Sequence, residues 1–134
     1  MFVNRLINGG NLPVVEQMLR FTAARHALLA ENVANLSTPG YQQKDLDTRR
    51  FQAMLAERVE SRQGRPTASV RFDGMASRAP AVASRGLLFH DGNNRSAEQL
   101  MTELSKNALM HNLFAELLNK QFGSIRNALR EKVS

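Results

Sequence analysis

The chain has 134 residues, the length of a single domain, so a second full core is not expected. Hydrophobic residues make up 43% of the chain but aromatic residues only 6%, which favours long helices packed through small and aliphatic side chains. The net charge of +6 permits a nucleic-acid, anionic-lipid or acidic-protein partner, whereas the absence of Cys excludes disulfides, Cys-based zinc sites and thiol chemistry.

The first predicted element is a long helix over residues 12–38, preceded by a flexible tail at residues 1–11. Apolar side chains recur in it at alternating spacings of three and four, the heptad pattern typical of a coiled coil. Asn11 can cap its start, and Pro39 ends it. The assembly seam predicted on this helix consists of Leu12, Val15, Leu19, Leu29, Val33 and Leu36.

The end of this helix carries the most informative segment, which runs from Asn32 to Tyr41. Pro39 and Gly40 occupy the two central positions of a predicted type II turn, in which Gly40 adopts a positive φ. The residues that define the segment are Asn32, Ala34, Asn35, Thr38, Pro39, Gly40 and Tyr41.

Residues 39–95 are predicted to form a turn, a short helix and a basic loop. Apolar residues at helical spacing after Asp47 predict the helix at about 48–61, with Asp47 as its cap. From residue 61 to 86 the chain has five Arg and one Asp among Gly, Pro and Ser, which predicts an irregular basic arm. Short strands in and beside this arm are expected at 67–72 and 86–89.

The last predicted element is a helix over residues 96–134, which begins at a capping box of Ser96 and Gln99. Its predicted assembly seam consists of Met101, Leu104, Ala108, Ala115, Leu118, Phe122, Ile125 and Leu129. The fold class is therefore mainly α, with long N- and C-terminal helices forming a coiled-coil pair around a short middle helix and an irregular arginine-rich arm.

No constellation of residues indicates catalysis, a cofactor or a metal ion. His26, His90 and His111 lack the spacing of a helical metal site, and no phosphate-binding loop, dinucleotide fingerprint or nucleophile motif is present. His26 and His111 are expected to face each other or solvent within the helical seams. No apolar stretch is long enough to span a bilayer, and no signal peptide is recognised at the start of the sequence.

The segment from Asn32 to Tyr41 resembles the Asn-x-Ala-Asn-x-x-Thr-Pro-Gly-Tyr signature that ends the N-terminal helix of bacterial flagellar axial proteins, which build the rod and hook. The step Asp45-Leu46-Asp47, and the turn at residues 91–94 leading into Asn107-Ala108-Leu109, are similar to the proximal rod subunits of that family. The resemblance covers residues 12–60 and 87–130.

The resemblance implies one axial-protein domain that assembles into the helical tube of the flagellar rod, the drive shaft and export channel of the motor. It implies several partners: other rod subunits, further copies of the chain, the membrane ring of the basal body with its adaptor, and the flagellar export apparatus. It also implies export to the periplasmic rod without a cleaved signal peptide, and helices that have no core to bury in the monomer.

The alternative interpretation is a basic helical nucleic-acid-binding protein. The arm between residues 61 and 86 has Phe72 as its single aromatic residue, and no recognition-helix pattern accompanies it. Retention on heparin or DNA with a steep salt dependence would distinguish this alternative from a structural subunit.

Overall fold

A computed structural model describes residues 12–61, 81–83 and 93–131. In chain order its elements are α1 (Leu12–Ala34), β1 (Lys44–Leu46), α2 (Thr48–Glu60), β2 (Ala81–Ala83) and α3 (Asn93–Glu131). The mainly helical class, with long first and last helices, is confirmed. Among the helices in these ranges, none has an apolar run that could cross a bilayer.

The two long helices pack against each other in antiparallel orientation. Arg25 of α1 contacts Glu103 of α3, whereas Thr22, one turn earlier, contacts Asn107 and His111, one and two turns later. The order of contacts along one helix is thus reversed along the other.

The hydrophobic core lies where α2 and β1 close over this helix pair. Its buried members are Val14, Val15, Met18 and Phe21 of α1, Leu46 of β1, Phe51 and Leu55 of α2, and Phe114 of α3. The rings of Phe21 and Phe51 are stacked, with centroids 4.0 Å apart and planes 11° from parallel. The expectation that the terminal helices have no core within one chain is therefore wrong for α1 and for α3 as far as Leu118, because α2 and β1 supply the third surface.

The short middle helix has the predicted bounds and cap. Asp47 has extended backbone angles, and its Oδ1 accepts a hydrogen bond from the Arg50 backbone N–H at 2.9 Å. This bond satisfies one of the free donors of the first turn. Asp47 is therefore confirmed as the N-cap of α2.

Both long helices begin or end earlier than the sequence predicts. α1 ends at Ala34, and α3 begins at Asn93. Ser96 therefore lies inside the first turn of α3, and the prediction that its capping box starts the helix is wrong. Asn has about the same helix propensity as Ser, so Asn93 and Asn94 can extend the helix upstream of Ser96.

β1 and β2 form a small antiparallel pair in which Lys44 lies opposite Ala83 and Leu46 opposite Ala81. Neither three-residue strand was predicted, since three residues are too few to show an alternating pattern. The strands expected at 67–72 and 86–89 lie outside the described residues, as do the tail at residues 1–11 with the cap Asn11 and most of the arginine-rich arm.

Candidate functional site

The predicted seam residues of α1 lie at the edge of the face that α1 turns toward the core. Val15 and Leu29 are buried, whereas Leu12, Leu19, Val33 and Leu36 are half-buried. The buried face also includes Val14, Met18 and Phe21, which the heptad pattern did not select.

The seam of α3 shows a similar offset of one residue. Leu100, Asn107 and Phe114 are buried, and each directly precedes a predicted seam residue: Met101, Ala108 and Ala115. Of the predicted set, Leu104, Ala108, Ala115 and Leu118 are half-buried, while Met101, Phe122, Ile125 and Leu129 are exposed. The contacts of these residues with neighbouring subunits remain a prediction.

Phe122, Ile125 and Leu129 form what we call the C-terminal apolar surface. They continue the spacing of Leu118 along one side of α3, and their exposed fractions are 52%, 48% and 62%. Leu118 itself packs against the core. Because α1 begins at Leu12 and the helices are antiparallel, α3 extends beyond α1 here, and within the described residues no element covers these three side chains.

Asn32 links the end of α1 to β1. Its side chain is 1% exposed; its Nδ2 donates to the Lys44 carbonyl at 2.6 Å, and its Oδ1 accepts from the Lys44 backbone N–H at 3.0 Å. A single buried amide thus satisfies both main-chain groups of Lys44, as a neighbouring strand would. We call residues 32–41, which this amide holds against α1, the motif loop.

The turn within the motif loop has the predicted type II form. The Tyr41 backbone N–H donates to the Thr38 carbonyl at 3.3 Å, and Gly40 has a φ of +75°. Before it, the Asn35 side chain donates to the Glu31 carbonyl at 2.9 Å and accepts from the Thr38 hydroxyl at 3.2 Å. The amide of Asn35 thus satisfies a carbonyl left free at the end of α1.

Tyr41 closes the motif loop by donating its hydroxyl to Asn32 Oδ1 at 3.3 Å. Desolvation of the phenol, followed by the nearby Glu31 carboxylate, raises the pKa of Tyr41 above its usual value of 10.0. The phenol therefore stays protonated and remains a donor at neutral pH. Of the motif residues, Ala34 ends α1, and Pro39 occupies the second position of the turn.

Arg25 joins three elements by ion pairs. Its guanidinium donates to both carboxylate oxygens of Asp45, at 2.8 and 2.7 Å, and to Glu103 at 3.0 Å. The hydrogen bond with Asp45 raises the pKa of Arg25 above its usual range. The side chain of Arg25 is only 13% exposed, so the two-point geometry matters more than it would at the surface.

Thr22, Asn107 and His111 form what we call the polar layer between α1 and α3. Asn107, 3% exposed, donates its Nδ2 to the Thr22 carbonyl at 2.8 Å. The Thr22 hydroxyl donates to the Leu19 carbonyl at 2.9 Å and lies 3.0 Å from His111 Nδ1. Since a hydroxyl has one proton, the proton of the second bond comes from His111 Nδ1. His26 is exposed and does not face His111.

Sequence reasoning did not find Arg25, Glu103 or the polar layer. The sequence did contain a signal for Arg25, because this arginine lies on the apolar side of a helix. An arginine in such a place can be buried only with carboxylate partners. The segment Asp45-Leu46-Asp47 was noted in the sequence, but the ion pair between Asp45 and Arg25 was not predicted. Among the residues that the structure describes, no three metal-ligating side chains come together.

Comparison with curated proteins gives relatives of one kind. The chain is 27% identical over 123 residues to the flagellar basal body rod protein FlgB of Bacillus subtilis strain 168, covering 90% of this chain and 93% of the relative. It is 28% identical to FlgB of Salmonella typhimurium strain LT2 and 29% identical to FlgB of Escherichia coli K12, with 86% of this chain and 89% of each relative covered. No family model and no solved structure matches. The predicted resemblance is confirmed: the chain is similar to FlgB flagellar basal body rod proteins along nearly its whole length.

Proposed function

We propose that this chain is a structural subunit of the bacterial flagellar basal body rod, in its proximal part. The observation that carries the proposal is the similarity to FlgB along nearly the whole of both chains. The motif loop fits the proposal, because each of its polar motif residues makes a side-chain hydrogen bond within the loop or to the main chain beside it.

The C-terminal apolar surface supports a role in assembly. Phe122, Ile125 and Leu129 are each about half exposed or more, on a helix that extends beyond its partner. Contiguous exposed apolar side chains of this size are typical of protein interfaces. We infer that an axial neighbour covers them, and that α1 and α3 extend their pairing into a coiled coil across subunits.

The predicted seam residues fit the same role. The intrachain core uses Val14, Met18, Phe21 and Phe114, which leaves much of the predicted seam half-buried or exposed. We infer that this remaining apolar edge contacts other subunits of the tube. The motif loop fixes the direction in which β1 and α2 leave α1, and so sets the position of that edge relative to the core.

The partners in this proposal are other rod subunits, further copies of this chain, and the membrane ring of the basal body with its adaptor. The chain reaches the periplasmic rod through the flagellar export apparatus without cleavage of a signal peptide. The arginine-rich arm faces neighbouring subunits or the cell wall, because five arginines need solvent or paired carboxylates. The subunit is a structural component, not an enzyme.

The nucleic-acid-binding alternative gains no support from the comparisons, since the relatives named above are rod proteins. The described cations are also engaged in part with protein carboxylates: Arg20 pairs with Glu16, Arg25 with Asp45, and Lys106 with Glu103. No observation favours a groove-binding helix.

The test is genetic complementation in a motile bacterium that encodes this chain. Deletion of the gene is expected to abolish swimming and completed basal bodies, and the wild-type gene should restore both. Complementation with Ile125→Asp should fail, because the substitution puts a charge on the C-terminal apolar surface. The matched control is Ser124→Asp, which introduces the same charge at the adjacent exposed position.

Secreted and assembled subunit should be measured separately in each strain. Export of the Ile125→Asp chain without incorporation into rods is the expected result. Normal swimming of the deletion strain would contradict the rod function. Restoration of swimming by Ile125→Asp would instead contradict the role of the C-terminal apolar surface.

A further inference from the structure

A second exposed face of α3 lies apart from the C-terminal apolar surface. At its centre are Leu109 and Leu113, which are 71% and 39% exposed. Lys106 precedes them by one turn, and Glu116 and Lys120 follow at the spacing of three and four that places residues on one side of a helix. All five are exposed within the described part of the chain. We call these five residues the outer face of α3.

α1 has an outward face with the same spacing and a complementary pattern. Glu16 and Arg20 lie in its first half, Ala23 and Ala27 follow, and Glu31 lies near its end. Read along α1, this outer face of α1 is negative, positive, small, small and negative. Read backwards along α3, the other face is positive, negative, apolar, apolar and positive.

Within one chain the two outer faces do not meet. α1 and α3 of the same chain contact each other through Thr22 and Arg25 on one helix and Glu103 and Asn107 on the other. These residues lie on different sides of the helices from the outer faces. Two outer faces can therefore meet only between different copies of the chain.

An antiparallel contact between two copies matches the apolar centres of the faces. When Leu113 lies opposite Ala23, Leu109 lies opposite Ala27, because both helices repeat at three and four residues. Each large side chain then meets a small one, which lets the two helices approach closely.

The same alignment matches the charges. Glu116 lies opposite Arg20, Lys120 lies opposite Glu16, and Lys106 lies level with Glu31. Arg20 already pairs with Glu16 at 2.6 Å, but their side chains are 65% and 45% exposed, so each can also bond across the contact. Three opposite-charge pairs therefore flank the two apolar contacts.

Other alignments lose this match. A shift of one heptad keeps the leucines on alanines, at Ala30 and Ala34, but leaves Glu116 and Lys120 opposite alanines instead of counter-charges. A parallel contact on Ala23 and Ala27 would put Lys106 level with Arg20, two like charges. The charges thus favour one direction and one register.

We propose that the outer face of α3 docks on the outer face of α1 of a second copy of this chain, in the antiparallel alignment given above. Because α1 and α3 of one chain are themselves antiparallel, the two copies point the same way. The two faces differ, so each copy in such a contact has one outer face left and the contact can repeat. This inference rests on the proposed function, to which it adds a partner and a surface.

Cysteine cross-linking of the purified full-length chain tests the alignment. The chain has no Cys, so single cysteines can replace the exposed residues Ala27, Ala34, Thr102 and Leu109. A chain with its cysteine in α1 is mixed at high concentration with a longer, tagged chain that has its cysteine in α3. After oxidation, the mixed dimer is recognised by its size on a gel.

Two matched pairs should form mixed disulfide dimers: Ala27→Cys with Leu109→Cys, and Ala34→Cys with Thr102→Cys. Exchanging the partners, so that Ala27→Cys meets Thr102→Cys and Ala34→Cys meets Leu109→Cys, uses the same four cysteines one heptad out of register. A heptad is about 10 Å along a helix, and a disulfide needs Cα atoms within about 7 Å. The exchanged pairs should therefore give about tenfold less mixed dimer.

A charge reversal tests the reason for the alignment. Glu116→Arg on the Leu109→Cys chain puts an arginine opposite Arg20 and should reduce the mixed dimer severalfold. Adding Arg20→Glu to the Ala27→Cys chain restores opposite charges across the contact and should recover most of the yield. A reduced yield that this second change does not recover would contradict the pairing of Glu116 with Arg20.

Equal yields from the matched and exchanged pairs would overturn the proposal, since the contact would then have no register. The absence of every mixed dimer would overturn it as well, because something other than a second copy would then cover the outer face of α3. The measurement does not depend on motility, so its failure leaves the complementation result unchanged. Normal swimming of the deletion strain would contradict the rod function without altering the cross-linking.

Discussion

The motif loop and the C-terminal apolar surface differ in whether their side chains have partners in the described part of the chain. In the motif loop, Tyr41 donates to Asn32, and the amides of Asn32 and Asn35 bond to nearby main-chain groups of the same molecule. At the C-terminal end of α3, Phe122 and Ile125 are half exposed, and the described part of the chain covers neither of them.

The difference separates what one chain stabilises by itself from what it offers to others. Directional hydrogen bonds to its own backbone make the motif loop independent of partners. The apolar side chains at the end of α3 have no partner within residues 12–61, 81–83 and 93–131, and we infer that their burial contributes on association. Substitutions in the two regions should therefore affect different measurements.

The largest decrease in the free energy of unfolding is expected from Phe51→Ala, in the core. Phe51 is fully buried and stacked on Phe21 at 4.0 Å. Its truncation should lower the free energy of unfolding by about 3 to 5 kcal/mol, measured by urea denaturation of the purified chain. Such a loss would leave a domain of this size marginally folded.

Phe122→Ala is the matched variant on the C-terminal apolar surface, where the side chain is 52% exposed. It should change the free energy of unfolding by no more than about 0.5 kcal/mol while reducing rod assembly. Similar losses of stability in Phe51→Ala and Phe122→Ala would contradict the distinction between an internal core and a surface reserved for partners.

A smaller loss is expected from Asn32→Ala. The substitution removes both hydrogen bonds to the Lys44 main chain and the acceptor for Tyr41, and should cost about 2 kcal/mol in the free energy of unfolding. Asn35→Ala is the control, because its bonds to Glu31 and Thr38 lie at the surface. An equal loss in both variants would show that burial of the Asn32 amide is unimportant.

The sequence predicted those parts of the fold whose cause is local. The Asp47 cap and the positive φ of Gly40 each depend on a few adjacent residues, and both were found. The pairing of Arg25 with Glu103, and of Thr22 with Asn107, joins residues about 80 positions apart, which periodicity cannot match up. The same reason explains the one-residue offset of both seams: the heptad pattern located the apolar sides of the helices, but α2 and β1 determine which residues face inward.

Substitution of Gly40 in the Pro39-Gly40 turn should lower the free energy of unfolding by a still smaller amount. Gly40 has a φ of +75°, and a Cβ added there would meet nothing within 4 Å, so Gly40→Ala would strain only the backbone. We expect Gly40→Ala to lower the free energy of unfolding by about 1 to 2 kcal/mol. The decrease should be smaller for Gly40→Asn, since Asn tolerates positive φ better. Urea denaturation of the two variants measures the difference, and assembly should weaken more than secretion does.

Equal stability of wild type, Gly40→Ala and Gly40→Asn would mean that the turn relaxes without cost. The value of the motif would then lie in side chains such as Asn35 and Tyr41. A clash cannot explain a large loss in Gly40→Ala, because the space around the position is open.

The smallest expected effect concerns the Tyr41 hydroxyl at alkaline pH. Its pKa is raised in the folded chain by desolvation and by the Glu31 carboxylate, so the unfolded chain releases this proton at a lower pH. The contribution of Tyr41 to stability is therefore fully present below about pH 10, its ordinary pKa, and decreases as the pH rises through the higher folded value.

Tyr41→Phe lacks the titrating proton. Its midpoint temperature of thermal unfolding should fall less steeply than that of the wild type between pH 8 and pH 11. The two proteins share every other titrating side chain, so the difference between their curves isolates Tyr41. Parallel curves over that range would mean that the phenol titrates alike in both states, and that its bond to Asn32 does not hold the motif loop closed.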